Sequence, residues 1–344
     1  MSSIYYFCIY KPAQALTMKK NIAVIMGGNS GEHAISLKSG ANIAQQLNHD
    51  LYNVYPIVLK GASWTYTDNH NEVFPIDKND FSLHINGQHI LFDCVFIAIH
   101  GNPGEDGRLQ GYFDMLNIPY TGCSALISSL TFNKSYCNRV VASYGVQTAP
   151  SVHLFKKDHY TAEEIIAKTG LPCFVKPCNS GSSVGMSKVN KQEDLLPALN
   201  TAFQHDDQVL IETFVKGREI TCGIMEYQGE IQVVGITEIV SKKEYFDFEA
   251  KYNPALANEI TPARIPEDVQ TACETTSKHI YRVLDCKGIV RIDYIFNQNG
   301  LYFIEVNTIP GQTNESLVPK QVKMKNLCFT DLCTYFLEEA MNTH

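Results

Sequence analysis

At 344 residues, with 44% hydrophobic and 19% charged residues, the chain has the composition of a folded globular protein of two or three domains, not of a disordered, fibrous or membrane one. Its 28 Lys plus Arg against 36 Asp plus Glu leave a net charge of -8, which excludes the overall basic field of a non-specific nucleic-acid binder. Eleven cysteines are scattered without a C-x-x-C pair, which argues against a zinc ribbon or a disulfide scaffold and for reduced, buried thiols in a cytoplasmic protein.

Residues 1–17 combine a short apolar run with an Ala-Gln-Ala, but no basic residue precedes the run. They read as an extension or disordered leader, with Met18 as an alternative start, and lie outside the fold. No segment reaches the roughly 20 apolar residues needed to span a bilayer.

A strand over 22–26 ends in Gly27-Gly28, and a helix follows from about Ser36 to Leu47. Strand, glycine turn, helix is an α/β opening. Further strands over 54–59 and 94–99 continue it, the last running into the loop His100-Gly101-Asn102-Pro103-Gly104-Glu105-Asp106-Gly107. Parallel sheets carry chemistry at such strand ends. These elements make a parallel α/β domain over 18–122. After a helix expected at 131–144, strand-rich segments at 173–176, 185–189 and 209–214 mark a second, α+β domain over 123–213. Longer strands, a polar loop at about 241–258, a strand pair and two helices mark a third domain over 214–344. The chain has no Gly-Lys dipeptide and no G-x-G-x-x-G, so any nucleotide is held without a Walker A or Rossmann loop.

The sharpest chemical feature is the pair Val290-Arg291-Ile292-Asp293-Tyr294 and Ile304-Glu305-Val306-Asn307. Alternation puts Arg291 and Asp293 on one face of the first strand, and Glu305 and Asn307 on one face of the second. If Gly300 takes the left-handed position of a three-residue loop, Asn297 pairs with Leu301, which sets Asp293 opposite Glu305 and Arg291 opposite Asn307. Opposed carboxylates in a half-buried sheet call for a cation, and an all-oxygen set points to Mg2+ or Mn2+ shared with phosphates. The second feature is a strand ending in Lys176 followed by the small-residue stretch Asn179-Ser180-Gly181-Ser182-Ser183, whose amides and hydroxyls suit phosphate. A lysine in an apolar strand needs a partner. Lys134 alone reads as a solvated charge.

Lys176-Pro177 with Gly181-Ser182-Ser183-Val184-Gly185, Arg291-Ile292-Asp293, Glu305-Val306-Asn307-Thr308-Ile309-Pro310-Gly311, Gly27-Gly28 ahead of Glu32, and the His100 loop occur together and in order. In that combination, over about residues 19–335, the chain resembles the D-alanine:D-alanine ligases of the ATP-grasp superfamily. It departs from many relatives at Asn133-Lys134, where Asp-Lys is common, and Asn314-Glu315-Ser316 is one of several variants at its place.

The resemblance implies a three-domain ATP-grasp fold with ATP between the central and C-terminal domains. Lys134 and Lys176 would contact the phosphates beside Ser182 and Ser183. Glu212, Phe214 and Val215 would hold the adenine and Glu219 the ribose, while Asp293, Glu305 and Asn307 would bind two Mg2+ or Mn2+ ions. Glu32 would take the ammonium of the first D-alanine, linked to Ser182 and Tyr252, with His100 beside it. Ser316, Leu317 and Gly311 would form the subsite of the second D-alanine. Lys251 and Arg291 would offset the charge built in the reaction. Tyr252, in a loop expected to close over the site, favours the D-alanyl-D-alanine dipeptide of peptidoglycan synthesis over D-alanyl-D-lactate. The resemblance further implies a homodimer. The nearest alternative is another ATP-grasp carboxylate-amine ligase or a D-alanine:D-lactate ligase.

Overall fold

The computed structural model describes residues 18–241 and 257–343. Their strands form three sheets. In the first, β1 (Lys20–Gly27) runs parallel to both β2 (Tyr52–Lys60) and β7 (Cys94–Ile97). Six consecutive buried residues in β1 are what a parallel strand covered on both faces requires. On one face Ala23 and Ile25 pack with Leu109 and Phe113 of α2 (Arg108–Leu116). On the other, Ile22 and Val24 meet Ile43 of α1 (His33–Gln46) and Leu337 of the last helix, α9 (Phe329–Thr343).

The sheet then extends where the sequence reading placed no strands. Antiparallel strands β3 (Ser63–Thr67), β4 (Val73–Asp77), β5 (Ser82–Ile85) and β6 (Gln88–Ile90) follow β2 in order. The local signal is Asn86-Gly87, whose φ values of 52° and 76° fit the two-residue turn that Asn-Gly favours.

The second sheet has the order β10-β9-β11-β8, from β8 (Ser151–Phe155), β9 (Cys173–Pro177), β10 (Ser187–Val189) and β11 (Gln208–Thr213). Helices α5 (Ala162–Thr169) and α6 (Leu195–Ala202) share its core, which includes Val175, Val209 and Ile211. The third sheet, β14-β13-β12-β15-β16, comprises β12 (Arg218–Tyr227), β13 (Glu230–Ser241), β14 (Ala257–Ile260), β15 (Ile289–Asn297) and β16 (Gly300–Asn307). Helix α7 (Glu267–Val283) packs on it through Cys273 and Ile280.

Two helical segments join cores outside the sequence-based divisions. Helices α3 (Ala125–Phe132) and α4 (Lys134–Ser143) place Ile127, Cys137 and Val141 in the core of the third sheet, although they precede the second. Helix α9 closes the core of the first sheet from the far end of the chain. Segment composition does not encode which distant apolar face a helix will cover. The helix expected at 131–144 occurs as α4, but its first residues, Thr131 and Phe132, end the separate helix α3, and the break lies at Asn133, an extended residue whose side chain accepts from the Tyr136 amide at 3.1 Å. Among the described residues ten cysteines are free, and nine of these are buried.

The β15–β16 turn also differs from expectation. Asn297 pairs with Gly300, a two-residue turn, so the register begins one step away from the expected one. A bulge between Asp293 and Tyr294 then restores it, and Asp293 faces Glu305 while Arg291 faces Asn307. The expected pairs occur, but through two offsetting irregularities.

Candidate active site

A cleft of about 1000 Å³ is lined by strands of the second and third sheets and, from the side of the first sheet, by Glu32, α1 and the loop that follows β7. At its centre Arg291 donates to Asp293 twice, from Nε at 2.9 Å and Nη2 at 2.8 Å. Burial works against the Arg291 charge, but Asp293, then Glu305 and Glu105, more than offset it and hold its pKa above the ordinary value. Asp293 also accepts from Thr221 Oγ1 at 2.5 Å and Asn307 Nδ2 at 3.2 Å. Opposite, Glu305 lies 3.3 Å from Lys134 Nζ. The opposed carboxylates are therefore neutralised in part by the protein's own cations, so their opposition does not by itself demand a metal. Among the described residues no three His, Cys, Asp or Glu side chains gather as a metal cage. Two carboxylates and the Asn307 amide do converge, and that oxygen set suits a hard cation.

Lys134 reaches this centre because it is the first residue of α4: the break at Asn133 lets its Nζ donate to Ser180 O at 2.7 Å as well. Lys176 has the partner its half-buried strand position requires, since its Nζ lies 2.5 Å from Glu212 Oε2. Burial disfavours its charge, but Glu212, with Glu305 and Glu219, raises its pKa. Both lysines line the cleft together with residues 180–184 of the loop after β9.

That loop reaches the residue before α1. Ser182 Oγ donates to Glu32 Oε1 at 2.7 Å. A Cβ on Gly181 would stand 2.9 Å from Glu32 Oε2, so glycine permits the approach. Ser182 and Ser183 both adopt positive φ, 50° and 60°, the unfavourable conformation that functional loops retain when their surroundings enforce it.

His100 and Glu105 clamp the loop after β16 onto the first sheet. His100 Nδ1 lies 2.8 Å from Ile309 O, an acceptor only, so Nδ1 carries the proton. Burial lowers its pKa and keeps the ring neutral, hence Nε2 accepts from Ser39 Oγ at 2.9 Å. Ser39 Oγ in turn accepts from the Gln312 amide at 3.2 Å. Glu105 accepts from the amides of Gly101 at 2.7 Å and Ile309 at 3.3 Å. Burial, then the charge of Glu32, pushes its carboxyl up to about 7. Nothing in the sequence assigns a role to Glu105 within its loop, and nothing in it points to Ser39. Only the fold shows that they reach the segment after β16, 204 and 273 residues away.

Ser316 precedes α8 (Leu317–Met324) but does not cap it with its side chain. Its hydroxyl instead lies 2.8 Å from Thr313 Oγ1 and accepts from the Thr313 amide at 3.1 Å. Gly311 passes so close that a Cβ would stand 2.7 Å from Ser316 Oγ. A helix N-terminus entering the cleft suits a carboxylate.

Comparison with known proteins covers most of the chain that lines this cleft. Residues 21–123 match the family described as D-ala D-ala ligase N-terminus, and residues 140–338 match D-ala D-ala ligase C-terminus. The D-alanine–D-alanine ligase of Flavobacterium johnsoniae is 46% identical over 94% of this chain and 99% of its own. The chain belongs to the D-alanine–D-alanine ligase family.

Among solved members of this fold, the Bacillus anthracis D-alanine–D-alanine ligase complexed with ATP is 30% identical, with a TM-score of 0.76 over 95% of this chain and 98% of its own. The VanG D-Ala:D-Ser ligase of Enterococcus faecalis is 31% identical, with a TM-score of 0.81 over 93% of this chain and 99% of its own. Of the residues that the ligase resemblance singled out, Glu32, His100, Lys134, Lys176, Ser182, Ser183, Glu219, Arg291, Asp293, Glu305, Asn307, Gly311, Ser316 and Leu317 line the cleft. Glu212, Phe214 and Val215 are not in its lining. Glu212 is buried and bonded to Asn138 Nδ2 at 2.7 Å besides Lys176, and Phe214 packs edge-on against Phe174. Lys251, Tyr252 and most of the expected closing loop lie outside the described residues.

Proposed function

We propose that this ligase joins two D-alanine molecules, with cleavage of ATP to ADP and phosphate, to give the D-alanyl-D-alanine of peptidoglycan synthesis. The observation that carries this reading is one cleft that gathers both kinds of group the reaction needs. Glu32, held by Ser182, offers a carboxylate to an amino acid's ammonium. The Asp293–Glu305 pair with Lys134 and Lys176 offers a phosphate site in the same cleft, and Arg291 lines it as well.

The first D-alanine carboxylate attacks the γ-phosphate, the bond to ADP breaks, and D-alanyl phosphate forms. The amine of the second D-alanine then attacks the acyl carbon, loses its proton, and phosphate leaves. Both steps build negative charge, so fixed cations aimed at that charge supply much of the catalysis. Lys134 and Lys176 bind phosphate oxygens, while Arg291 stabilises the oxyanion on the acyl carbon. The N-terminus of α8, at Ser316 and Leu317, orients the second carboxylate, with Gly311 beside it. Asp293, Glu305 and Asn307 would hold Mg2+ or Mn2+, which supplies charge neutralisation on the β- and γ-phosphates when bound. Glu219 takes the ribose.

The likeness to a D-Ala:D-Ser ligase keeps one second reading in view, with D-serine as the second substrate. Phosphate release from ATP and Mg2+ with D-alanine alone, and with D-serine, D-lactate or L-alanine added, separates the readings. Dipeptide formed from D-alanine alone is expected, and turnover that ignores D-alanine would overturn the proposal. The enzyme acts in the cytoplasm as a homodimer, which light scattering on a sizing column checks. Among the described residues no helix is long and apolar enough to cross a membrane.

A further inference from the structure

Helix α8 begins at the residues assigned above to the second D-alanine and turns Val318, Gln321 and Val322 inward. The two valines pack in an apolar cluster with Met225, Val234 and Phe336. Gln321 shares that face and is fully buried. A helix that needed only packing would carry an apolar residue there, because burying an unsatisfied amide is costly.

Two glycines make room for it. Gly223 and Gly235 face one another across β12 and β13. A Cβ on Gly223 would stand 2.2 Å from Gln321 Oε1, and one on Gly235 3.0 Å from Gln321 Cβ and Cγ. Within this notch Gln321 Nε2 donates to Thr237 Oγ1 at 2.9 Å and to Thr221 O at 3.4 Å, while its Oε1, against Gly223, meets no hydrogen-bond partner among the described residues, so the amide is held by its nitrogen end alone. Thr221 is also the residue whose hydroxyl donates to Asp293. One strand residue thus bonds α8 through its carbonyl and the phosphate-side carboxylate through its hydroxyl.

We infer that Gln321 is a positioning residue for the second substrate. Apolar contacts are non-directional and let a helix slide, whereas a side chain plugged into a notch and bonded at its end fixes one height along the sheet. That height sets Ser316 and Leu317 relative to Asp293 and Arg291, and hence the distance from the incoming amine to the acyl carbon. The inference rests on the ligase reading above.

Its test separates the two half-reactions. Hydroxylamine can replace the second D-alanine: its nitrogen attacks the acyl carbon of D-alanyl phosphate, phosphate leaves, and a hydroxamate forms without use of the α8 subsite. In Gln321→Met, which keeps volume and loses the hydrogen bonds, hydroxamate formation should stay within about twofold of wild type while KM for the second D-alanine rises about tenfold, because a displaced α8 N-terminus loosens its hold on the second carboxylate and a loss of about tenfold corresponds to one hydrogen bond to a charged group. Gly223→Ala, which presses on Oε1 from the other wall, should show the same split. In the double variant with Gln321→Ala the added methyl finds space, so its second KM should be no worse than that of Gln321→Ala alone. An unchanged second KM in both single variants, or equal losses in both half-reactions, overturns the positioning role. If wild type makes no dipeptide from D-alanine, the ligase reading itself falls. If wild type does and the variants match it, only the role of Gln321 falls.

Discussion

Ser182 Oγ donates to Glu32 Oε1 at 2.7 Å, so the small-residue loop after β9 and the residue before α1 meet in one contact. Glu32→Gln removes the charge offered to the first ammonium, and hydrogen bonds to charged groups are worth about 1.5–3 kcal/mol, so KM for the first D-alanine should rise about 10- to 100-fold. Ser182→Ala removes only a supporting bond and should cost less, about 2- to 10-fold. Initial rates of phosphate release against D-alanine concentration measure both. A Glu32→Gln enzyme with wild-type KM would displace Glu32 from the ammonium site.

Glu305 faces Asp293 and lies 3.3 Å from Lys134 Nζ. Glu305→Gln keeps the shape, removes one of the two opposed charges and frees the lysine from its counter-ion. Turnover should drop by about 10²- to 10³-fold, the range seen when one preorganised electrostatic group is lost, and more Mg2+ should be needed for half-maximal rate. The circular dichroism spectrum should not change. Near-wild-type turnover with the usual Mg2+ requirement would exclude Glu305 from the phosphate end.

Much of this arrangement was legible in the chain because it is local. Arg291, Asp293, Glu305 and Asn307 follow from strand alternation, although their register depended on a shorter turn and a bulge that offset each other. The need of Lys176 for a partner was legible from its apolar neighbours, but its partner Glu212, from another strand of the sheet, was not. Long-range ties carry no sequence signal of their own: His100 to Ile309, Ser39 to Gln312 and the Gln321 notch each join segments some 84 to 273 residues apart. The hairpins after β2 were missed for a different reason. Their strands are short, and only the Asn86-Gly87 turn advertises them.

Asn133 ends one helix and caps the next, accepting from the Tyr136 amide while its Nδ2 donates to Asn179 Oδ1 at 3.0 Å and Gln208 Oε1 at 3.2 Å. Asn133→Ala should destabilise the fold by about 1–2 kcal/mol, the upper part of the range for a lost cap. It should also raise KM for ATP, because Lys134 is the next residue and takes its direction from that helix start. Urea unfolding and ATP kinetics together check this. A stability loss with an unchanged KM would limit Asn133 to capping.

Glu105 gives the pH prediction. Its carboxyl, pushed from 4.5 to about 7 first by burial and then by the charge of Glu32, keeps its proton in the folded protein across a range where the unfolded chain has already lost it. The folded state therefore binds more protons between those values, and stability falls as pH rises through them. Glu105→Gln resembles the protonated acid and cannot ionise. Other titrating groups are common to both proteins and largely cancel in the difference between them. The unfolding free energy of the variant minus that of wild type should therefore grow as pH rises from 4.5 to about 7 and level off above it. Urea unfolding across a pH series measures the difference, and a flat line through that window would show that Glu105 ionises in the folded protein as an ordinary carboxylate does.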